Sequence, residues 1–128
     1  KFPTGPQHLD FVPVIRYAEV LLSLAESLAR TGNTTRSLEI LNAVRTRARG
    51  IAFAAFPSQN DLIEAILKER EIEFLGEGFR SPDLLRLLRP LPAKGGITAI
   101  PATSSGYIWP IPQGELLINK AMEQNPGY

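Results

Sequence analysis

The sequence predicts an all-α fold with extended, proline-rich ends and one long loop, and three features predict it. Apolar residues recur at helical spacing in two neighbouring segments, Val14 to Arg30 and Thr34 to about Arg49, joined by only a few residues. A third segment of this kind, about Gln59 to Leu75, follows a helix-start signal. Prolines and glycines fall mainly at the chain ends, at helix stops and between Leu91 and Gly106.

Pro3, Gly5, Pro6 and Pro13 favour an extended or turning lead-in over residues 1–13. In the first helix Val14, Ala18, Leu21, Ala25 and Leu28 form an apolar stripe that Tyr17, Leu22 and Leu24 widen, and Gly32 supplies the stop. Thr34 or Thr35 can cap the second helix, which carries Leu38, Leu41, Val44 and Ala48 on one face and has Gly50 after its end. Two such helices with a short turn pack antiparallel. Set against a tetratricopeptide repeat, Leu24, Ala25 and Leu28 occupy the packing positions of its first helix, and Ser37, Leu41 and Val44 those of its second. One such hairpin cannot cover its own apolar faces, so neighbouring helices are expected on both sides, the upstream ones outside this chain.

Ser58 with Asp61 three residues on resembles a capping box for the third helix, which should bury Leu62, Ile63, Ile66, Ile72 and Phe74 or Leu75 before Gly76 and Gly78 end it. Ser81, Pro82 and Asp83 suit the N-cap, first and second positions of a short fourth helix, about Asp83 to Leu88, stopped by Pro90 and Pro92. Leu91 to Gly106 reads as a surface excursion. Tyr107 to Pro112 must be extended, because each proline biases the residue before it away from helix. A last helical turn or two, about Gln113 to Met122, precedes an Asn-Pro-Gly turn.

The 128 residues fit a single domain, and 44% apolar with 21% charged residues marks a chain that folds. A formal net charge of +1 gives no field toward nucleic acid or an anionic membrane. The absence of cysteine excludes disulfides, thiolate metal sites and cysteine nucleophiles from this chain. No apolar run approaches the ~20 residues of a membrane-spanning helix. Lys1 in place of Met, with no signal peptide or lipid-acceptor cysteine before it, suits a piece of a longer precursor.

Candidate chemistry is sparse. Glu69 and Glu73, one helical turn apart, could form a carboxylate pair, but with Lys68 and Arg70 beside them a charged helix face accounts for the same residues. His8, the only histidine, has Asp10 nearby and no other partner for metal or triad chemistry. Arg36, Arg45, Arg47 and Arg49 do not share one helix face, which argues against a nucleic-acid stripe. Asn33-Thr34-Thr35 matches the glycosylation triplet but doubles as a turn and helix cap. No catalytic or metal-binding residue and no cofactor is expected. Trp109 and Tyr107 are the candidates for a ligand site, since sugars lay their CH-rich faces on aromatic rings. The competing and preferred reading has Trp109 anchoring the C-terminal strand on the helical core with its ring hidden.

Four blocks occur in order: Val14-Ile15-Arg16-Tyr17-Ala18-Glu19-Val20-Leu21-Leu22 with Ala25-Glu26; Asn42-Ala43-Val44-Arg45 with Arg47-Ala48; Glu69-Arg70-Glu71-Ile72-Glu73-Phe74 with Glu77-Gly78, Arg80, Asp83-Leu84 and Arg86; and Tyr107-Ile108-Trp109-Pro110-Ile111-Pro112 with Glu115, Asn119 and Gln124-Asn125-Pro126-Gly127-Tyr128. Together they resemble the C-terminal part of the SusD/RagB family of outer-membrane glycan-capture lipoproteins. The resemblance implies tetratricopeptide-like hairpins, a lipid anchor at the distant N-terminus of the full protein and residence on the outer face of the outer membrane. It also implies a SusC-like TonB-dependent transporter as partner and an oligosaccharide bound noncovalently, largely by residues upstream. Ser81-Pro82 stand where the family usually has bulky aromatics. Arg16, Glu26, Glu69, Arg70, Arg80, Asp83 and Arg86 then read as an internal ion-pair network that fixes how helices one, three and four dock. The alternative function is a helical-repeat module that recognises a protein and has no sugar ligand. An enzyme ranks third.

Overall fold

The structure, a computed structural model, describes residues 14–128. The lead-in over residues 1–13, with His8 and Asp10, lies outside the described residues. In chain order the helices are α1 (Tyr17–Arg30), α2 (Thr34–Arg47), α3 (Gln59–Glu73), α4 (Arg80–Arg86) and α5 (Gln113–Ile118), with one 3₁₀ turn, Ser105–Tyr107, before α5. The chain divides into two compact units, the first running to Leu75 and the second from Gly76 to Tyr128.

In the first unit α1 packs on both α2 and α3. α1 begins three residues later than its apolar pattern suggests, because Arg16 is extended and its carbonyl accepts the first turn's bond from the Glu19 N–H; Val14 and Ile15 are exposed. The buried stripe is Ala18, Leu22, Ala25 and Ala29, while Tyr17 and Leu24 face outward with Val20. Small residues make that stripe, so a neighbouring backbone can come close. The Ser37 hydroxyl of α2 donates to the Ala25 carbonyl at 2.7 Å, with Ser37 fully buried. That bond gives the small residues at both tetratricopeptide-like positions a physical role.

The turn between α1 and α2 does two jobs in three residues. Gly32, at φ +89°, donates to the Ala29 carbonyl, and Asn33 donates to Leu28, which closes the helix with a Schellman motif. The Asn33 side chain then accepts from the Arg36 N–H, so Asn33 caps α2 in place of the expected Thr34 or Thr35. α2 ends by the same motif at Arg47, two residues earlier than expected. Arg49, at φ +65°, takes the left-handed position, and Gly50 serves a different need: a Cβ there would meet the Arg45 side chain at 2.7 Å.

α3 starts as predicted. The Asp61 N–H donates to the Ser58 hydroxyl at 3.2 Å, and that hydroxyl donates to the Asp61 carboxylate at 2.7 Å. The buried face is Leu62, Ile63, Ile66, Leu67, Glu69, Arg70 and Phe74. Of the alternatives Phe74 and Leu75 it is Phe74 that is buried, but Ile72 is exposed, contrary to expectation, because it stands about 200° of helix rotation from Arg70 and so opposite the buried face.

In the second unit α4 begins at Arg80, so Ser81 and Pro82 sit within its first turn rather than ahead of it. The missing Pro82 N–H is harmless there, since the first four N–H groups of a helix have no internal acceptor. The expected irregular excursion contains a short hairpin: Leu91 pairs with Ile100 and Lys94 with Ile97, each pair exchanging two backbone hydrogen bonds. Gly95 and Gly96 turn it with φ of +56° and +85°, the two consecutive positive angles that tight hairpins require. α5 is shorter than expected, ending at Ile118 rather than Met122.

Candidate functional site

The segment after the hairpin separates the two candidate aromatics. Tyr107 lies in the 3₁₀ turn and is 7% exposed. Its hydroxyl donates to the carbonyls of Leu84 and Arg89, 3.0 and 2.8 Å away, at and just past the end of α4, where the Leu84 carbonyl also accepts from the Arg89 N–H. Its ring is therefore taken up in packing and presents no open face. Trp109 has the opposite fate: it is 88% exposed, which overturns the reading of Trp109 as the hidden anchor. The physical reason is a change of phase. Residues two apart share a face only in a regular strand, and the extended run begins at Ile108, after the turn that holds Tyr107.

The backbone under the Trp109 ring is held by side chains rather than by a neighbouring strand. Asn125 donates its amide to the Trp109 carbonyl at 2.8 Å. Gln124 accepts from the Ile111 N–H at 2.8 Å and donates to the Ile111 carbonyl at 3.0 Å, so one side chain supplies both bonds of a strand partner. The Tyr128 hydroxyl donates to the carbonyls of Ser105 and Ile108. Gly127 permits that return: it sits at φ +92°, and a Cβ there would lie 2.6 Å from that of Ser105. With Pro110 and Pro112 restricting φ, the result is an indole on a fixed main chain with its faces open. Such a ring offers a stacking platform at little ordering cost.

Many charged residues of the first unit are held in ion pairs. Glu73 is the hub: Arg16 donates to its carboxylate at 2.8 Å and to its main-chain carbonyl at 3.0 Å, and Arg47 donates to the same carboxylate oxygen at 2.7 Å. Burial pulls the Glu73 carboxyl upward, but the hydrogen bonds and charges of Arg16 and Arg47 outweigh it and hold the group below its ordinary value. Glu69 is buried and paired with Arg45 at 2.7 Å. Each carboxylate is bonded to arginines rather than facing the other across an open cleft, which argues against the acid/base pairing of Glu69 and Glu73. Buried Glu26 pairs with Arg30 at 2.9 Å. Buried Arg70 donates to the Ser23 hydroxyl at 3.1 Å, and its guanidinium and that of Arg16 each lie 5.3 Å from the centre of the Phe74 ring.

In the second unit buried Asp83 accepts from Arg86 at 2.9 Å, and Arg80 is the exposed first residue of α4. The sequence reading missed Glu73, Arg45, Arg47 and Arg30. The available signal was the pair of acids one turn apart on α3 matched by two arginines near the end of α2. Arg36, Arg45 and Arg47 each hold a carboxylate, which leaves no basic stripe for phosphate. Among the described residues no group of His, Cys, Asp or Glu could hold a metal ion, and no helix is long and apolar enough to cross a membrane.

The SusD family model matches residues 6–98. A SusD-like protein, P38, from Formosa agariphila is 33% identical over 124 residues, covering 90% of this chain and 24% of its own length. A SusD superfamily crystal structure from Bacteroides fragilis matches with a TM-score of 0.72 and 38% identity over 88% of this chain and 28% of that one. A second, from Bacteroides vulgatus, matches with a TM-score of 0.71 and 30% identity over 94% of this chain and 30% of that one. The chain thus spans about a quarter to a third of the length of these relatives. With its tetratricopeptide-like helices and a family match over most of its residues, this chain belongs to the SusD family.

Proposed function

We propose that this chain is the C-terminal helical portion of a cell-surface lipoprotein that captures an oligosaccharide noncovalently and passes it to a SusC-like TonB-dependent transporter in the outer membrane. Family membership across residues 6–98 is the observation that carries the reading. The chemistry agrees with it: an open indole on a pinned backbone suits the CH-rich face of a sugar, and Glu26, Glu69 and Glu73 are held by arginines. Binding and release, with no bond made or broken, is the activity such a surface supports. The parent protein would reach the membrane through an N-terminal lipid.

Affinity electrophoresis through gels containing plant, host and microbial polysaccharides tests this, with the full-length parent run beside the 128-residue chain. Retardation of both supports capture with Trp109 in the site. Retardation of the parent alone supports capture by upstream residues, with this chain as scaffold. If no polysaccharide slows the parent, the capture reading is wrong.

A further inference from the structure

In the first unit a groove of about 510 Å³ opens between the N-terminal half of α2 and the connector that leads into α3. Such a volume falls in the range of roughly 300–1,000 Å³ typical of small-molecule sites. Phe53 and Phe56 form one wall, their ring centres 4.9 Å apart and their planes tilted by 54°. Thr34, Thr35 and Glu39 of α2 supply polar groups along the other side.

The wall is fixed before any ligand arrives. The Asn42 amide donates to the Phe53 carbonyl and accepts from its N–H, both at 2.9 Å, which holds the connector extended. Arg45 donates to the Ile51 carbonyl at 2.7 Å, lies 4.3 Å from the Phe53 ring centre and is itself held by Glu69. Two helix α2 side chains therefore set the position of the aromatic wall, and the ordering cost is met in the free protein.

The polar groups divide by use. The Asn42 and Gln59 amides serve the fold, the latter donating to the Ala29 carbonyl. The Thr34 and Thr35 hydroxyls and the Glu39 carboxylate, 56% exposed beside Arg36, face solvent. The one lining carboxylate, Glu39, is paired with Arg36 at 2.7 Å, so the groove favours neither anion nor cation, and threonine hydroxyls with phenyl rings favour a neutral ligand with one CH-rich face and an edge of O–H donors. We propose that this groove is a further carbohydrate subsite, in addition to Trp109, that takes one or two neutral pyranose rings with Phe53 and Phe56 against the sugar face and Glu39 accepting from ring hydroxyls. It rests on the capture reading above.

The test is a titration of the ¹⁵N-labelled 128-residue chain with millimolar maltose, cellobiose, laminaribiose and mannobiose, followed by NMR. The expected result is saturable shifts at the Thr35, Leu38, Ala54 and Ala55 amides with at least one disaccharide. Glu39→Gln, a surface change that leaves the fold alone, weakens that binding about tenfold, as loss of a charge-assisted hydrogen bond does. Phe56→Ala, checked for a folded spectrum, weakens it at least as much. Shifts confined to residues near Trp109 would overturn the groove and leave capture standing. No shift in the groove with any of the four sugars would overturn it too, while the gel experiment on the parent decides capture separately.

Discussion

The two units hold themselves together by different means. The first is a helical core in the ordinary sense, with Leu22, Leu41 and Ile66 fully buried and Ser37 bonding across the α1–α2 contact. In the second, the buried residues are Asp83, Leu84 and Tyr107, and much of its order comes from Tyr107, Gln124, Asn125 and Tyr128 bonding to main-chain carbonyls and N–H groups. Motif residues therefore mean different things in the two places. In the first unit they pack or pair helices; in the second, polar side chains replace a missing strand partner and leave an indole free.

The largest expected effect lies in the first unit. Leu41→Ala removes a fully buried side chain and should destabilise that unit by roughly 2 to 5 kcal/mol in a denaturant titration, the usual cost of a core cavity. A loss below about 1 kcal/mol would mean the α1–α2 core is loosely packed. Tyr107→Phe keeps the ring and deletes the hydroxyl that serves Leu84 and Arg89. It should cost about 1 to 2 kcal/mol, because the Arg89 carbonyl loses its hydroxyl donor and the Leu84 carbonyl is left with the Arg89 N–H alone. Hydrogen exchange should show the loss in residues 76–128 and not in α1 to α3; loss spread evenly over both would erase the distinction between them.

A smaller effect follows from Glu73. Its carboxyl is held below the ordinary value in the folded chain, so the stability it adds is fully present above the unfolded carboxyl pKa of about 4.3 and is lost as pH falls through the lower folded value. Glu73→Gln should therefore lower stability at neutral pH and flatten its decline below about pH 4.3, measured by denaturant titration across the acid range. An unchanged acid limb would show that Arg16 and Arg47 do not favour the ionised form.

What was legible in the sequence was what depends on neighbours along the chain. The Ser58–Asp61 cap and the Gly32 stop are local features and stand where they were expected, and the three long helices lie within two or three residues of the expected bounds. Choices between near neighbours were not legible. Leu67 rather than Ile72 is buried, and Arg49 rather than Gly50 takes the left-handed angle, because helix phase and the approach of Arg45 decide them. Gly95-Gly96 did announce a hairpin, but the flanking prolines made the stretch read as irregular. The hub role of Glu73 needed the knowledge of which helices meet. The exchange of roles between Tyr107 and Trp109 turned on a single 3₁₀ turn, which no periodicity within Tyr107 to Pro112 reveals.

Trp109 is the only tryptophan in the chain, so its fluorescence reports the candidate site alone. The most direct measurement is the emission spectrum of the 128-residue chain, titrated with a soluble polysaccharide that retards it in affinity gels. The free chain should emit at the long wavelength of a solvated indole, and the polysaccharide should shift the band to the blue in a saturable way. A spectrum that stays fixed while the chain is retarded would show that the sugar binds elsewhere and that the exposed indole serves another purpose.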